Sequence, residues 1–165
     1  MLMRRIAVLG TALTLGLAGS VYAADGALSK DEYKAEKDRI SKEAKAAKDK
    51  CKGMSGNAKD ICNAEAKGHE KVAKAELEAR NKNTAQAQAK VQEAKADAEY
   101  EVAKERCDDK AGKEKSACKK EASAAHKQAK ADAKASMKTA DAKADARRAK
   151  RDAAAEKREA EAAKK

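Results

Sequence analysis

Two stretches decide the fold: CKGMSGNAKDIC, residues 51–62, and CDDKAGKEKSAC, residues 107–118. Each is a cysteine, ten intervening residues and a second cysteine, and the second stretch starts 56 positions after the first. Aligned without gaps, Ala47-Lys48-Asp49-Lys50-Cys51 falls on Ala103-Lys104-Glu105-Arg106-Cys107. Gly56 falls on Gly112, Lys59 on Lys115, and Glu65-Ala66 on Glu121-Ala122. Ala/Lys-rich sequence aligns with itself by chance, so the weight rests on the cysteines and glycines. They describe one duplicated unit.

The residues around the first stretch predict two helices about a tight turn. Ser29 with Glu32 three residues on makes a capping box. Tyr33, Ile40, Ala44, Ala47 and Cys51 then recur at near-heptad spacing, with Lys37 the exception. Residues 52–56 hold two glycines and a serine, which break the helix. Asn57 is the expected cap of the next helix, with Asp60 in its first turn. Cys62, Ala66, Ala73 and Leu77 share one stripe of it. Glu70 with Lys74 and Glu78 with Lys82 support its outer face by a few tenths of a kcal/mol each. Residues 81–84 are the weakest helical stretch, and Asn83 with Gln86 is the expected cap there. A continuous helix through this point is the alternative. A third helix runs to about Cys107, a turn follows at 109–112, and a fourth helix begins near Lys113. Residues 141–165 read as a solvated helix or a fraying tail, because nothing large and apolar follows Met137.

Composition limits what such helices can build. The 165-residue chain has no Phe, Trp or Pro, and 41% of it is charged. Alanine, lysine and glutamate are strong helix formers, so strands are not expected. Alanine buries little area, which rules out a thick core. The expected fold class is all-α: tandem disulfide-stapled helical hairpins in an elongated helical bundle, with a long charged C-terminal helix. The corresponding segments are a signal peptide at 1–23, hairpin repeats at 24–82 and 83–137, and a basic helical or disordered tail at 138–165.

Four cysteines allow three pairings. Cys51–Cys62 with Cys107–Cys118 is favoured, since each pair brackets one turn and its side chains can meet across a helical hairpin. Closing so short a loop contributes about 3 kcal/mol in the chain-entropy model. The competing metal reading would add His69 and His126. Structural zinc draws on cysteines two to four residues apart, and no such pair exists, so no metal ligand is assigned. There is no C-x-x-C, no phosphate loop, no G-x-S-x-G and no H-E-x-x-H. No catalytic residue, cofactor or enzymatic activity is assigned.

The N-terminus has the layout of a secretory signal peptide. Arg4 and Arg5 precede an apolar run from Ile6 to Ala18, and Val21-Tyr22-Ala23 places small residues for cleavage after Ala23. The run is short of the roughly 20 residues a membrane span needs, so a retained anchor is the lesser alternative. Export implies a periplasmic location that permits disulfides, with no transmembrane segment after cleavage.

The segment Cys-x4-Gly-Asn-Ala-Lys-Asp-x-Cys-x2-Glu-Ala-Lys, residues 51–67, resembles small exported proteobacterial proteins with paired cysteines, labelled TolA-like or cell envelope biogenesis proteins. In the second copy Gly112-Lys113-Glu114-Lys115-Ser116 replaces Gly-Asn-Ala-Lys-Asp. The resemblance implies an envelope location and a style of helix, not the partners of TolA.

Function is read from the surface. Residues 24–110 carry 20 Lys or Arg against 19 Asp or Glu, whereas residues 111–165 carry 17 against 9. Lys143, Arg147, Arg148, Lys150, Arg151, Lys157 and Arg158 form the densest basic cluster. The leading expectation is a non-enzymatic periplasmic protein with a structural or accessory role in the cell envelope. The alternative is polyanion binding by that basic helix, to lipopolysaccharide, lipid head groups or cell-wall polymer, against the simple need for solubility. A periplasmic chaperone is a further alternative. Nucleic-acid binding applies only without export, and no stacking platform accompanies it. No specific partner is assigned beyond an envelope protein or an anionic envelope polymer.

Overall fold

The structure is a computed structural model that describes residues 27–164. The expected signal peptide at 1–23 and its expected cleavage point lie outside these residues. Among the described residues there are four helices and no strand: α1 (Lys30–Cys51), α2 (Gly56–Lys82), α3 (Ala85–Asp108) and α4 (Gly112–Ala162). Connections this short turn each helix back on the one before it. α1 packs on α2, α2 on α3 and α3 on α4, and no other pair of helices touches. The result is an up-down meander one helix thick. The α1–α2 and α3–α4 turns lie at one end and the α2–α3 turn at the other.

Local chemistry explains where the helices begin and end. At α1 the capping box is complete: Ser29 Oγ accepts from the Glu32 N–H at 3.3 Å, and Glu32 Oε2 accepts from the Ser29 N–H at 2.9 Å. The other expected caps need correction. α2 is preceded by Ser55, which makes no side-chain cap bond. Asn57 instead reaches across to α3, where its amide Nδ2 donates to the Glu105 carbonyl at 2.7 Å. A partner on another helix outcompetes the local cap because it satisfies a carbonyl near the end of α3. Asp60 lies past the first turn of α2. The break between α2 and α3 is real, so the continuous-helix alternative falls. There Asn83 takes the left-handed conformation (φ 45°) as the C-cap of α2. Thr84, not Asn83, caps α3, its hydroxyl accepting from the Ala87 N–H at 3.1 Å. α4 starts at Gly112, one residue earlier than expected.

The paired glycines have a common physical reason. Gly56 and Gly112 hold φ of +56° and +52°, each as the first residue after a turn. Residues with a Cβ avoid that region, so both turns use the same backbone device. Across these turns the cysteines bond as Cys51–Cys62 and Cys107–Cys118, with Cα–Cα distances of 5.7 and 5.6 Å.

The packed layers are thin. Most buried apolar side chains are alanines, and Ile40, Leu77 and Val91 are the only larger aliphatic ones among the described residues. Cys51 and Cys107 are the most deeply buried side chains. α2 and α3 approach closely at Gly68 and Ala98, where a Cβ on Gly68 would stand 2.8 Å from the Ala98 Cβ. Bare backbone there lets the helices approach. α4 outruns the meander: Met137 is its last residue with any burial, and residues 138–164 are exposed on every side. At about 1.5 Å per residue this free length is about 40 Å.

Candidate functional site

Three features gather chemistry-bearing side chains. The first is a junction on Asp97. The spacing of α3 places Asp97 and Tyr100 one turn apart, both half-buried toward its neighbours. The Asp97 carboxylate accepts from Lys71 of α2 and from two groups of α4, His126 Nε2 at 2.6 Å and Lys130 Nζ at 3.3 Å. The Tyr100 ring stacks on the His126 ring with centroids 4.7 Å apart and planes 13° from parallel. Partial burial of Asp97 opposes its ionisation, but the hydrogen bonds from Lys71, His126 and Lys130 outweigh this and hold its carboxyl well below the usual range. Among the described residues no hydroxyl or thiol hydrogen-bonds to His126. What the junction does is fasten α2, α3 and α4 through one carboxylate.

His126 is half-buried on α4. It lies at this junction because Asp97 and Tyr100 provide both a charge and a flat apolar face. Neither is adjacent to it in sequence, which is why helical spacing on α4 gave no signal.

The second feature is a groove of about 520 Å³ between α2 and α3, around Gly68, Val72, Ala98 and Val102. His69 stands at its margin, exposed. The Arg106 guanidinium bridges this groove to the Glu65 carboxylate at 3.0 Å. The four cysteines are all bonded, so no thiol is available for chemistry.

The third is the free half of α4, which carries all seven residues of the basic cluster: Lys143, Arg147, Arg148, Lys150, Arg151, Lys157 and Arg158. Every one is exposed, and none makes an ion pair among the described residues. At about 100° per residue, all but Arg148 share one arc of about 120°. Asp141, Asp145, Asp152, Glu156 and Glu159 lie opposite, with Arg148 beside them, and Glu161 is the one acid within the basic arc. Elsewhere charges alternate and pair along the helix, as in Arg39–Glu43, Lys74–Glu70 and Lys82–Glu78. Charges on α4 are therefore sorted by face in a way that those of α1 and α2 are not.

No family model, curated protein or solved structure matches this chain. Its function has to be argued from its own residues. Among the described residues no helix is long and apolar enough to cross a membrane.

Proposed function

We propose that this chain is a non-enzymatic helical protein of the periplasm with a structural or accessory role in the cell envelope. The observation that carries the reading is the pairing of a stapled meander with a free helix. Two local disulfides close both turns at one end, and α4 runs on about 40 Å past the packed layers at the other. Disulfides fit an oxidising compartment, and the resemblance of residues 51–67 to TolA-like envelope proteins supports the same address. In this reading the two hairpins, α1–α2 and α3–α4, are copies of one unit, and α4 is an extended arm. Cross-linking in intact cells followed by mass spectrometry tests it: envelope proteins or wall polymer should be captured through α4, and their absence overturns the reading.

A second reading is favoured by the exposed, unpaired basic arc. Six cations on one face of a free helix suit an extended polyanion such as lipopolysaccharide, lipid head groups or cell-wall polymer. Such contacts are screened by salt, so binding to lipopolysaccharide should weaken steeply as ionic strength rises. Binding indifferent to salt overturns this reading.

A further inference from the structure

The free half of α4 contains a seven-residue period that its face-sorted charges only partly express. Residues 139–164 divide as TADAKAD, ARRAKRD, AAAEKRE and AEAAK. The fifth place of each block is lysine: Lys143, Lys150, Lys157 and Lys164. The seventh place is acidic in each complete block: Asp145, Asp152 and Glu159. The first and fourth places are small from Thr139 and Ala142 through Ala160 and Ala163, with Glu156 the single charged interruption. This is a heptad with a small-residue seam and flanking charge columns of opposite sign.

Nothing within the chain uses these columns. Lysine and acid stand two or five residues apart, spacings that do not face each other on one helix. Accordingly none of these residues forms an ion pair among the described residues, and all are exposed. A repeat of seven residues per two turns, 3.5 rather than 3.6 per turn, keeps its seam facing a partner only when two helices supercoil. The columns also select the partner and its direction. In a parallel, in-register pair the acidic places within α4 meet the lysines five residues on in the second copy: Asp145 with Lys150 and Asp152 with Lys157. An antiparallel pair would set lysine column against lysine column. The surface is therefore complementary to itself in one orientation.

Position allows the contact as well. α4 meets α3 through Cys118, His126 and Ala133, on a face about 150° around the helix from the seam. A second copy can approach without displacing α3. Alanine at the seam allows close approach of the two helix axes. Upstream, Gln128 and Asp132 occupy seam places and hydrogen-bond to each other, which ends the pattern near Ala135.

We propose that α4 from about Ala135 to Ala163 is a dimerisation surface that forms a parallel two-stranded coiled coil with a second copy of this chain. Arg147, Arg148, Arg151 and Arg158 then point outward from the pair, so dimerisation does not depend on the polyanion reading and does not block it. The test is the mass of the full, oxidised chain by sedimentation equilibrium over a wide concentration range at low salt. The mass should climb toward that of two chains, and salt should weaken the association. K150E/K157E should raise the dissociation constant by more than about tenfold, with unchanged helix content by circular dichroism. D145K/D152K should do the same, and mixing the two variants should restore a dimer. A160C should form an interchain disulfide on mild oxidation, because only the parallel register brings the two copies of this position together. A single-chain mass at every concentration overturns the proposal. So does a dimer insensitive to both charge reversals, or a dimer in which A160C stays unlinked. A mass that rises only on addition of lipopolysaccharide replaces it with bridging by polymer.

Discussion

Gly68→Ala is the substitution whose sign separates packing from propensity. An added methyl would stand 2.8 Å from the Ala98 Cβ and 3.4 Å from the Ala98 Cα. Carbon atoms in contact rest about 3.5–4.0 Å apart, so α2 and α3 must separate by roughly 0.7–1.2 Å at the crossing. Both obstacles are main-chain or Cβ atoms, with no flexible end to swing away. Two effects then oppose. Alanine in a helix interior gains about 1 kcal/mol over glycine, while overpacking a tight contact costs about 1–3 kcal/mol. Gly68 is itself buried against Ala98, so the packing effect wins. We expect a net loss of about 1 kcal/mol, seen as a drop of about 3 °C in Tm and an earlier urea midpoint by circular dichroism. Ala98→Gly in the same chain restores the room, and the double variant should recover most of the loss through a coupling of about 1 kcal/mol or more. A G68A chain that gains about 1 kcal/mol, as an exposed helical glycine would, refutes the close crossing.

Other outcomes follow from the caps, the junction and the staples. Asp97→Asn should lower stability at neutral pH by about 1–3 kcal/mol, because Lys71, Lys130 and His126 lose their charged acceptor. Since the folded Asp97 is held below its unfolded value, its contribution is complete above about pH 4 and is lost as pH falls further. Acid titration by circular dichroism should therefore show a steeper loss in the native chain than in D97N. Replacing either cystine by two serines should cost about 3 kcal/mol in urea titrations, and a loss under about 1 kcal/mol would mean that alanine packing suffices there. Thr84→Ala should cost about 1 kcal/mol as a lost cap, whereas Asn83→Gly should be neutral or stabilising, since glycine adopts positive φ freely. Equal losses in both would contradict the cap assignment.

What could be read from the sequence follows the range of the interaction. The Ser29–Glu32 box, the pairs Glu70–Lys74 and Glu78–Lys82, and the breaks near 52–56 and 83–84 are decided within one or two helical turns. The cysteine pairing was legible for the same reason, since each bond closes a single turn. Asn57 was misread because its amide finds Glu105, 48 residues away, before it finds its own helix. Gly68 carried no signal, because a glycine in an alanine-rich helix acquires meaning only when Ala98 stands against it. The Asp97, Tyr100 and His126 junction needs α3 and α4 to be side by side. The heptad beyond Thr139 is different again. Its letters are plain in the sequence, but they bear on association only once that stretch is a continuous helix with no neighbour.

Because each helix touches only those next to it in sequence, the molecule behaves as a one-dimensional stack. Melting can start at α1 and travel inward while the α3–α4 interface stays shut. Its contacts are close in sequence, so the chain has little topological searching to do and should fold fast for its length. Such a body tears along its interfaces one at a time. A pull on the tip of α4 would load the α3–α4 seam first and reach the Cys107–Cys118 bond last, at the far end from where the force is applied.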